Sequence, residues 1–331
     1  MYNVALIGIG NIGLLYDDNK GDKTKSLSHV KSIYLHEHFN LLYIIDTNDS
    51  NLDKVKSFFP NVQYFSQHTD IIYKDDIDIL IIATPTVTHF NILNEFSKNT
   101  NIKMFIMEKP LFSTDNEYDN IPNNIQDKLL INYLRRFDKA IQNLKKNLQL
   151  LQTEKILIHY CKGLKNNGSH MIDLVNYLYN NPKIISSTIL GSSPGFDQSD
   201  SNYDLFIEIE IDSKIIPLYF ISHQHTNYNL IELNIYTKES MIKYTNSKGT
   251  IEYYNIVADK NFPQYSIFSD QAQFIDRMDS AFPMSHLYDK VYSILKYDDS
   301  NISSYHDEIA NKNFFKSIFT TNKLHSNHAF K

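Results

Sequence analysis

Cysteine is almost missing from this chain. The single Cys161 has no partner for an intramolecular disulfide, and there is no Cys-x-x-Cys pair to hold zinc or a cluster through thiolates. Long hydrophobic runs are missing too: apolar stretches such as residues 77–83 fall far short of the about 20 residues that cross a bilayer. The net charge is −6 and no basic stripe or Lys/Arg block is present, so the footprint that phosphodiester backbones require is lacking. Neither nucleic acid nor a membrane is an expected partner. The lone cysteine makes a reducing cytoplasm the expected compartment, and Met1-Tyr2-Asn3 runs straight into Val4-Ala5-Leu6-Ile7-Gly8 without the basic segment or small-residue cleavage site of a signal peptide, so a soluble protein is expected. Internal repeats and low-complexity linkers are absent as well.

What is present is apolar patterning in two styles. The 331 residues, 42% of them hydrophobic, suffice for two ordinary cores. β-branched and apolar runs at residues 2–9, 41–46, 78–84, 104–108 and 128–133 read as parallel strands buried on both faces. Helical spacing lies between them, at Val30, Ile33 and Tyr34 and again at residues 89–96, so strand and helix alternate as in a doubly wound sheet of Rossmann type. Residues 137–151 read as a helix with Ala140, Ile141, Leu144, Leu148 and Leu151 on one side. Beyond it the period changes to two, at residues 205–211, 215–222, 230–236 and 251–257, which predicts antiparallel strands with one covered face. The expectation is an α/β chain: a dinucleotide-binding domain over 1–134 and an α+β domain with a mostly antiparallel open sheet over 135–331. A last amphipathic helix is expected at 308–318, with a polar tail from residue 320.

Glycine is scarce, yet three of the nine residues fall within Gly8-Ile9-Gly10-Asn11-Ile12-Gly13, directly after the first strand. In this G-x-G-x-x-G pattern the first glycine permits a tight turn, the second lets backbone approach a pyrophosphate, and the third allows close helix–strand packing. Asp46 then ends the second strand, where a carboxylate accepts hydrogen bonds from the adenosine ribose and repels a 2′-phosphate, so NAD is expected rather than NADP. It stands 33 residues after Gly13 instead of the usual ~20, because the polar residues 17–28 read as an insertion ahead of the helix.

Further motifs follow at the ends of later strands: Thr84-Pro85 with His89, Glu108-Lys109-Pro110, Asn132-Tyr133-Leu134-Arg135-Arg136-Phe137, and the segment from Asn166 through Gly168-Ser169-His170 to Asp173. In this order and spacing the chain resembles the glucose-fructose oxidoreductase, inositol dehydrogenase and MocA family over nearly its whole length. The resemblance implies that Lys109 contacts the reacting hydroxyl and the nicotinamide, and that His170 donates or accepts a proton. It further implies cofactor contacts from Gly8, Gly10, Asn11, Ile12, Gly13, Asp46, Thr84, Pro85, His89, Glu108 and Lys109. Many members carry an aspartate four residues before the histidine; here Asn166 stands there and cannot accept a proton.

Removing a carbinol proton as hydride leaves requires a base at the same oxygen, and both a histidine and a lysine near a cationic ring suit that task. Tyr160, Lys162, Asn166 and Asp173 are expected beside Lys109 and His170 at the substrate, with Lys162 suited to a carboxylate or diphosphate. Arg135 and Arg136 are expected to anchor the domain junction. His223 and His225 would share one face of a strand, but no third ligand is at hand and no metal site is expected. The function expected is NAD-dependent hydride transfer on a secondary hydroxyl or ketone of a sugar or sugar derivative, with a sugar nucleotide or amino sugar bound for a surface polysaccharide as the first substrate expected within that family, in a homodimer or homotetramer. The alternatives are reduction of another C=O, C=N or cyclic polyol compound, and a silent dinucleotide-binding regulator.

Overall fold

The computed structural model describes residues 1–17, 25–56, 59–197, 199–224, 228–279 and 283–320. It divides into two units, Met1–Phe137 with Ser280–Glu308 and Asp138–Asp279 with Ile309–Lys331. A split into two consecutive stretches, 1–134 and 135–331, leaves out the return of residues 280–308 to the first unit.

In the first unit six parallel strands, β1 (Tyr2–Ile7), β2 (Phe39–Ile45), β3 (Gln63–Phe65), β4 (Ile79–Ile82), β5 (Met104–Met107) and β6 (Leu129–Ile131), lie in the order β3-β2-β1-β4-β5-β6. Helices α1 (His29–Leu35), α2 (Asp49–Lys56), α3 (Thr86–Phe96), α4 (Asp115–Asp119) and α5 (Asn123–Gln126) alternate with them. The chain winds outward from β1 through β2 to β3 and then restarts at β4 on the other side of β1, which makes the carboxyl ends of β1 and β4 a topological switch point. Val4, Ala5, Leu6 and all of β4 and β5 are buried, as strands covered on both faces must be. β3 has three residues and none is buried, so no hydrophobic run marks it in the sequence.

The second unit opens with α6 (Lys139–Leu148), whose amino end is capped by the Asp138 carboxylate accepting the Ala140 N–H. β7 (Thr153–Cys161) leads through a π-helical turn (Leu164–Gly168) into α7 (Ser169–Leu178). There follow β8 (Lys183–Ser193), β9 (Asn202–Ile211), β10 (Lys214–His223), β11 (Ile231–Thr237), β12 (Ser240–Thr245), β13 (Thr250–Ala258), β14 (Ser266–Phe268) and β15 (Phe274–Arg277). The sheet order is β14-β13-β12-β11-β7-β10-β9-β8, with β15 on β13; β7 and β10 run parallel and the other pairs are antiparallel. Its covered face carries Ile156, Ile158, Leu205, Ile207, Leu218, Leu233 and Ile235, all buried, while alternate residues such as Phe206, Tyr219 and Tyr236 stay half-exposed.

Two helices close the chain, α8 (Pro283–Tyr297) and α9 (Tyr305–Thr320). Met284, Leu287, Tyr288 and Val291 of α8 belong to the same core as Val4, Leu6 and Ile106, and this apolar stripe is what draws residues 280–308 back into the first unit. Arg136, fully buried, pairs with Asp307 at 2.8 Å and donates to the Ile302 carbonyl, fastening the returning segment inside that unit. Among the described residues no helix is long and apolar enough to cross a membrane. The tail expected to be polar from residue 320 lies, after its first residue, outside the described residues, as does His225.

Candidate functional site

The glycine loop sits at the carboxyl end of β1, and its three glycines differ in what they face. Gly8 has φ +92°, and a Cβ there would come within 2.7 Å of the Ala83 carbonyl oxygen. A Cβ on Gly13 would overlap the Gly8 carbonyl and approach the Ile9 Cα to 2.7 Å. Nothing lies within 4 Å of a Cβ placed on Gly10, and its backbone is not left-handed. The fold therefore requires glycine at 8 and 13 but has no use for one at 10. Open space over that position suits a group the protein itself does not supply, such as a pyrophosphate.

The long interval to Asp46 has a local explanation. Leu14 and Tyr16 donate to the Gly10 and Asn11 carbonyls, but the Ile12 and Gly13 carbonyls receive the N–H groups of His29 and Val30. Those are the bonds residues 16 and 17 would make in an unbroken helix, so the hydrogen-bond ladder skips thirteen positions and the interval from Gly13 to Asp46 shrinks to the ordinary ~20. Asp17 reaches across this interval, its carboxylate accepting the Leu27 and Ser28 N–H groups at 2.7 Å each. Ser28 then caps α1. Asp46 lies against the glycine loop, accepting the N–H of Ile9 at 2.8 Å on one oxygen and that of Asn48 at 2.8 Å on the other. Each oxygen retains a second lone pair for a ribose hydroxyl.

Thr84 and Pro85 form the turn from β4 into α3, where the Thr88 hydroxyl lies 2.7 Å from both the Thr84 hydroxyl and the Pro85 carbonyl. His89 is buried, with its ring nitrogens 3.0 Å from the Leu111 carbonyl and 2.8 Å from the Thr84 carbonyl. Both are engaged by backbone, so His89 joins the Thr84 turn to the Glu108-Lys109-Pro110 turn rather than facing outward.

That second turn, with a cis Lys109-Pro110 peptide, is held from several directions within the first unit. The Glu108 carboxylate meets His29 Nε2 at 3.0 Å and accepts from Asn132 Nδ2 at 2.6 Å. Burial pushes its pKa upward, yet the hydrogen bond and charge of His29, the Asn132 amide and the charge of Lys109 together hold it below the usual carboxylate value. The Leu111 N–H donates to Glu308 at 3.4 Å, and Glu308, itself buried, accepts the hydroxyls of Tyr118 at 2.7 Å and Tyr133 at 2.9 Å. Lys109 emerges half-buried beyond this frame.

In the second unit the expected residues lie along β7 and the start of α7. Tyr160 is fully buried: its hydroxyl donates to the Tyr203 carbonyl at 2.8 Å and accepts the Tyr203 N–H at 2.7 Å, and burial raises its pKa. Asp173 is buried as well and accepts the Asn311 amide at 2.8 Å. Tyr160 and Asp173 thus turn into the unit's interior, while Lys162 and His170 remain half-buried and Asn166 is exposed. The π-helical turn before His170 is clamped by Asp200, whose two oxygens accept the N–H groups of Lys165 and Asn166 at 2.8 Å each. Lys162 and Gly163 both have positive φ, 70° and 99°, and a side chain on Gly163 would overlap the Asp200 carboxylate. π-Helical turns of this kind gather at functional sites.

The sequence reading missed His29, Tyr288, Asp200 and Glu308. No local motif marks them, and each acts across a gap in the chain. His223 contacts His159, with ring nitrogens 3.0 Å apart, and no group of three His, Cys, Asp or Glu suited to a metal occurs among the described residues.

Residues 2–128 match the model of an oxidoreductase family with an NAD-binding Rossmann fold, GFO_IDH_MocA. No curated protein matches the chain. Among solved structures it is similar to a super-repressor mutant of Gal80p from Saccharomyces cerevisiae, with a TM-score of 0.73 and 11% identity over 97% of this chain and 95% of that one. It is similar to a dehydrogenase (MviM) from Clostridium difficile, with a TM-score of 0.69 and 14% identity over 96% and 99%. The WlbA dehydrogenase from Bordetella pertussis, solved with NADH and UDP-GlcNAcA, gives 0.70 and 13% over 97% and 95%. At such identities the likeness is one of fold.

Proposed function

We propose that this chain, whose residues 2–128 match the GFO_IDH_MocA oxidoreductase family with its NAD-binding Rossmann fold, transfers a hydride between NAD and a secondary hydroxyl or ketone of a sugar or sugar derivative. The observation that carries this reading is the unfilled space over Gly10, at the switch point of the sheet and beside the Asp46 carboxylate. When bound there, NAD accepts or gives the hydride. Gly8 to Gly13 receive its pyrophosphate, Asp46 accepts its ribose hydroxyls and disfavours a 2′-phosphate, and the Thr84-Pro85 turn and Glu108 shape the nicotinamide side. Lys109, at the end of β5, holds the reacting oxygen, and His170, in the first turn of α7, moves the proton. Lys162 and Asn166 bind the rest of the substrate.

WlbA was solved with a sugar nucleotide, which makes sugar nucleotides the first compounds to try, ahead of free sugars and cyclic polyols. The half-exposed face with Phe206, Tyr219 and Tyr236 supports pairing with a second copy, in a dimer or tetramer of the cytoplasm. The test is titration with NADH and NADPH by nicotinamide fluorescence, followed by a screen of sugar nucleotides, sugars and polyols at the nicotinamide absorbance. Tighter binding of NADH and turnover of at least one carbohydrate are expected. Binding without turnover across the screen would favour a silent regulator, and no binding of either cofactor would overturn the reading.

A further inference from the structure

His29 touches two parts of the first unit that the sequence keeps far apart. Its backbone N–H donates to the Ile12 carbonyl inside the glycine loop at 3.0 Å. Its ring, wholly buried, bridges from the Tyr288 hydroxyl, 2.7 Å from Nδ1, to the Glu108 carboxylate, 3.0 Å from Nε2. Glu108 in turn neighbours Lys109 and accepts from Asn132. His29 takes this place only because the hydrogen-bond ladder after Gly13 skips thirteen positions, which delivers a histidine where an unbroken helix would put Tyr16. A helix merely restarting after an insertion needs a cap and an apolar stripe; it does not need a buried imidazole between a phenol and a carboxylate.

We propose that His29 is a positioning residue for the reaction: it fixes the carboxylate beside Lys109 and ties that carboxylate rigidly to the loop that receives the dinucleotide. Its bond to Glu108 holds a negative charge next to the lysine, and its bond to Ile12 makes the seat of the charge depend on the shape of the glycine loop. Tyr288 sets the ring: its hydroxyl holds Nδ1 and so keeps Nε2 turned to the Glu108 carboxylate. Lys109 is the group presumed to act by the functional reading on which this rests, but the geometry is testable without a substrate.

The experiment reads Lys109 directly. The purified full chain is labelled briefly with acetic anhydride at pH 8, and acetylation of the Lys109 peptide is measured by mass spectrometry against an exposed reference, Lys248. An amine beside a fixed carboxylate stays protonated and reacts slowly. His29→Leu is expected to speed Lys109 acetylation by about tenfold, the order of one lost hydrogen bond to a charged group, whereas His29→Gln, which keeps a donor toward Glu108, stays within about threefold of the unmodified chain. Glu108→Gln should match His29→Leu, and the double variant should add nothing further, since both break one link. NADH affinity, followed by fluorescence, should weaken by about tenfold in His29→Leu and be rescued in His29→Gln.

Unchanged acetylation in a folded His29→Leu chain, or additive effects with Glu108→Gln, would overturn the proposal. If His29→Leu does not fold, Tyr288→Phe, which only frees the ring, must raise acetylation severalfold for the proposal to stand. Should NADH fail to bind even the unmodified chain, the functional reading falls while the acetylation series still decides the role of His29.

Discussion

The two segments that carry Lys109 and His170 are held in opposite ways. The Glu108-Lys109-Pro110 turn is gripped by several buried side chains from separate parts of the chain, His29, His89, Asn132 and Glu308, which meet it through side-chain or backbone hydrogen bonds. The turn before His170 is gripped by a single carboxylate, Asp200, acting on backbone N–H groups of a π-helical turn, with glycine at 163 leaving it room. The first arrangement is a buried polar network, in which losing one partner strands another. The second is a cap, whose loss exposes N–H groups that water can reach. Perturbations of the two should therefore differ in size and in their dependence on pH.

The largest expected effects come from the groups so positioned. With a substrate from the screen in hand, Lys109→Ala is expected to lower kcat by about 10²- to 10⁴-fold while NAD affinity stays within a few fold, and His170→Ala to lower kcat comparably and alter its pH profile. The losses should not add if both serve one proton transfer; additive losses in steady-state kinetics would separate their roles.

Next come the glycines. Gly13→Ala forces a side chain into the backbone of Gly8 and Ile9 and should cost about 3 kcal/mol or more in chemical denaturation. Gly10→Ala meets nothing and should melt within a few degrees of the unmodified chain, yet lose NADH binding. A Gly10→Ala chain that binds NADH normally would remove the main support for the dinucleotide site.

The grips themselves sharpen the comparison. Asp200→Ala should cost about 1–2 kcal/mol, as a lost cap does, and Glu108→Gln should change how stability depends on acid. Because the Glu108 pKa is lowered in the folded chain, its stabilisation is complete above the ordinary value of 4.5 and is lost as pH falls through the lower folded value. Urea unfolding from pH 6 downward should thus show a steeper decline in the unmodified chain than in Glu108→Gln. Parallel curves would mean that the network does not hold the carboxylate ionised. The smallest effect expected is at Asp46: replacement with Ser should narrow the preference for NADH over NADPH in fluorescence titrations, and equal affinities in the unmodified chain would refute the assigned role.

Much of this molecule was legible in order of period and motif. Buried parallel strands are short continuous apolar runs, and the glycine loop is a backbone motif whose meaning depends only on neighbours in the chain. Central strand β7 escaped notice because Glu154, Lys155 and His159 break its apolar pattern, and β3 escaped because it is a three-residue edge with nothing buried. Within the candidate site, Tyr160 and Asp173 looked like pocket residues from their positions near His170, but their polar atoms find partners inside the second unit, at Tyr203 and Asn311.

The sequence by itself determined the alternation of strands and helices, the doubly wound first sheet, the seat of the glycine loop and the acid after β2, since each follows from contacts between near neighbours or from a period along the chain. Only the tertiary structure decided that residues 280–308 return to the first unit, that the insertion after Gly13 delivers His29 to Glu108, and that Asp200 shapes the turn before His170. Those outcomes depend on where apolar stripes and buried hydrogen-bond partners meet across gaps of tens to hundreds of residues, and no local pattern records such meetings.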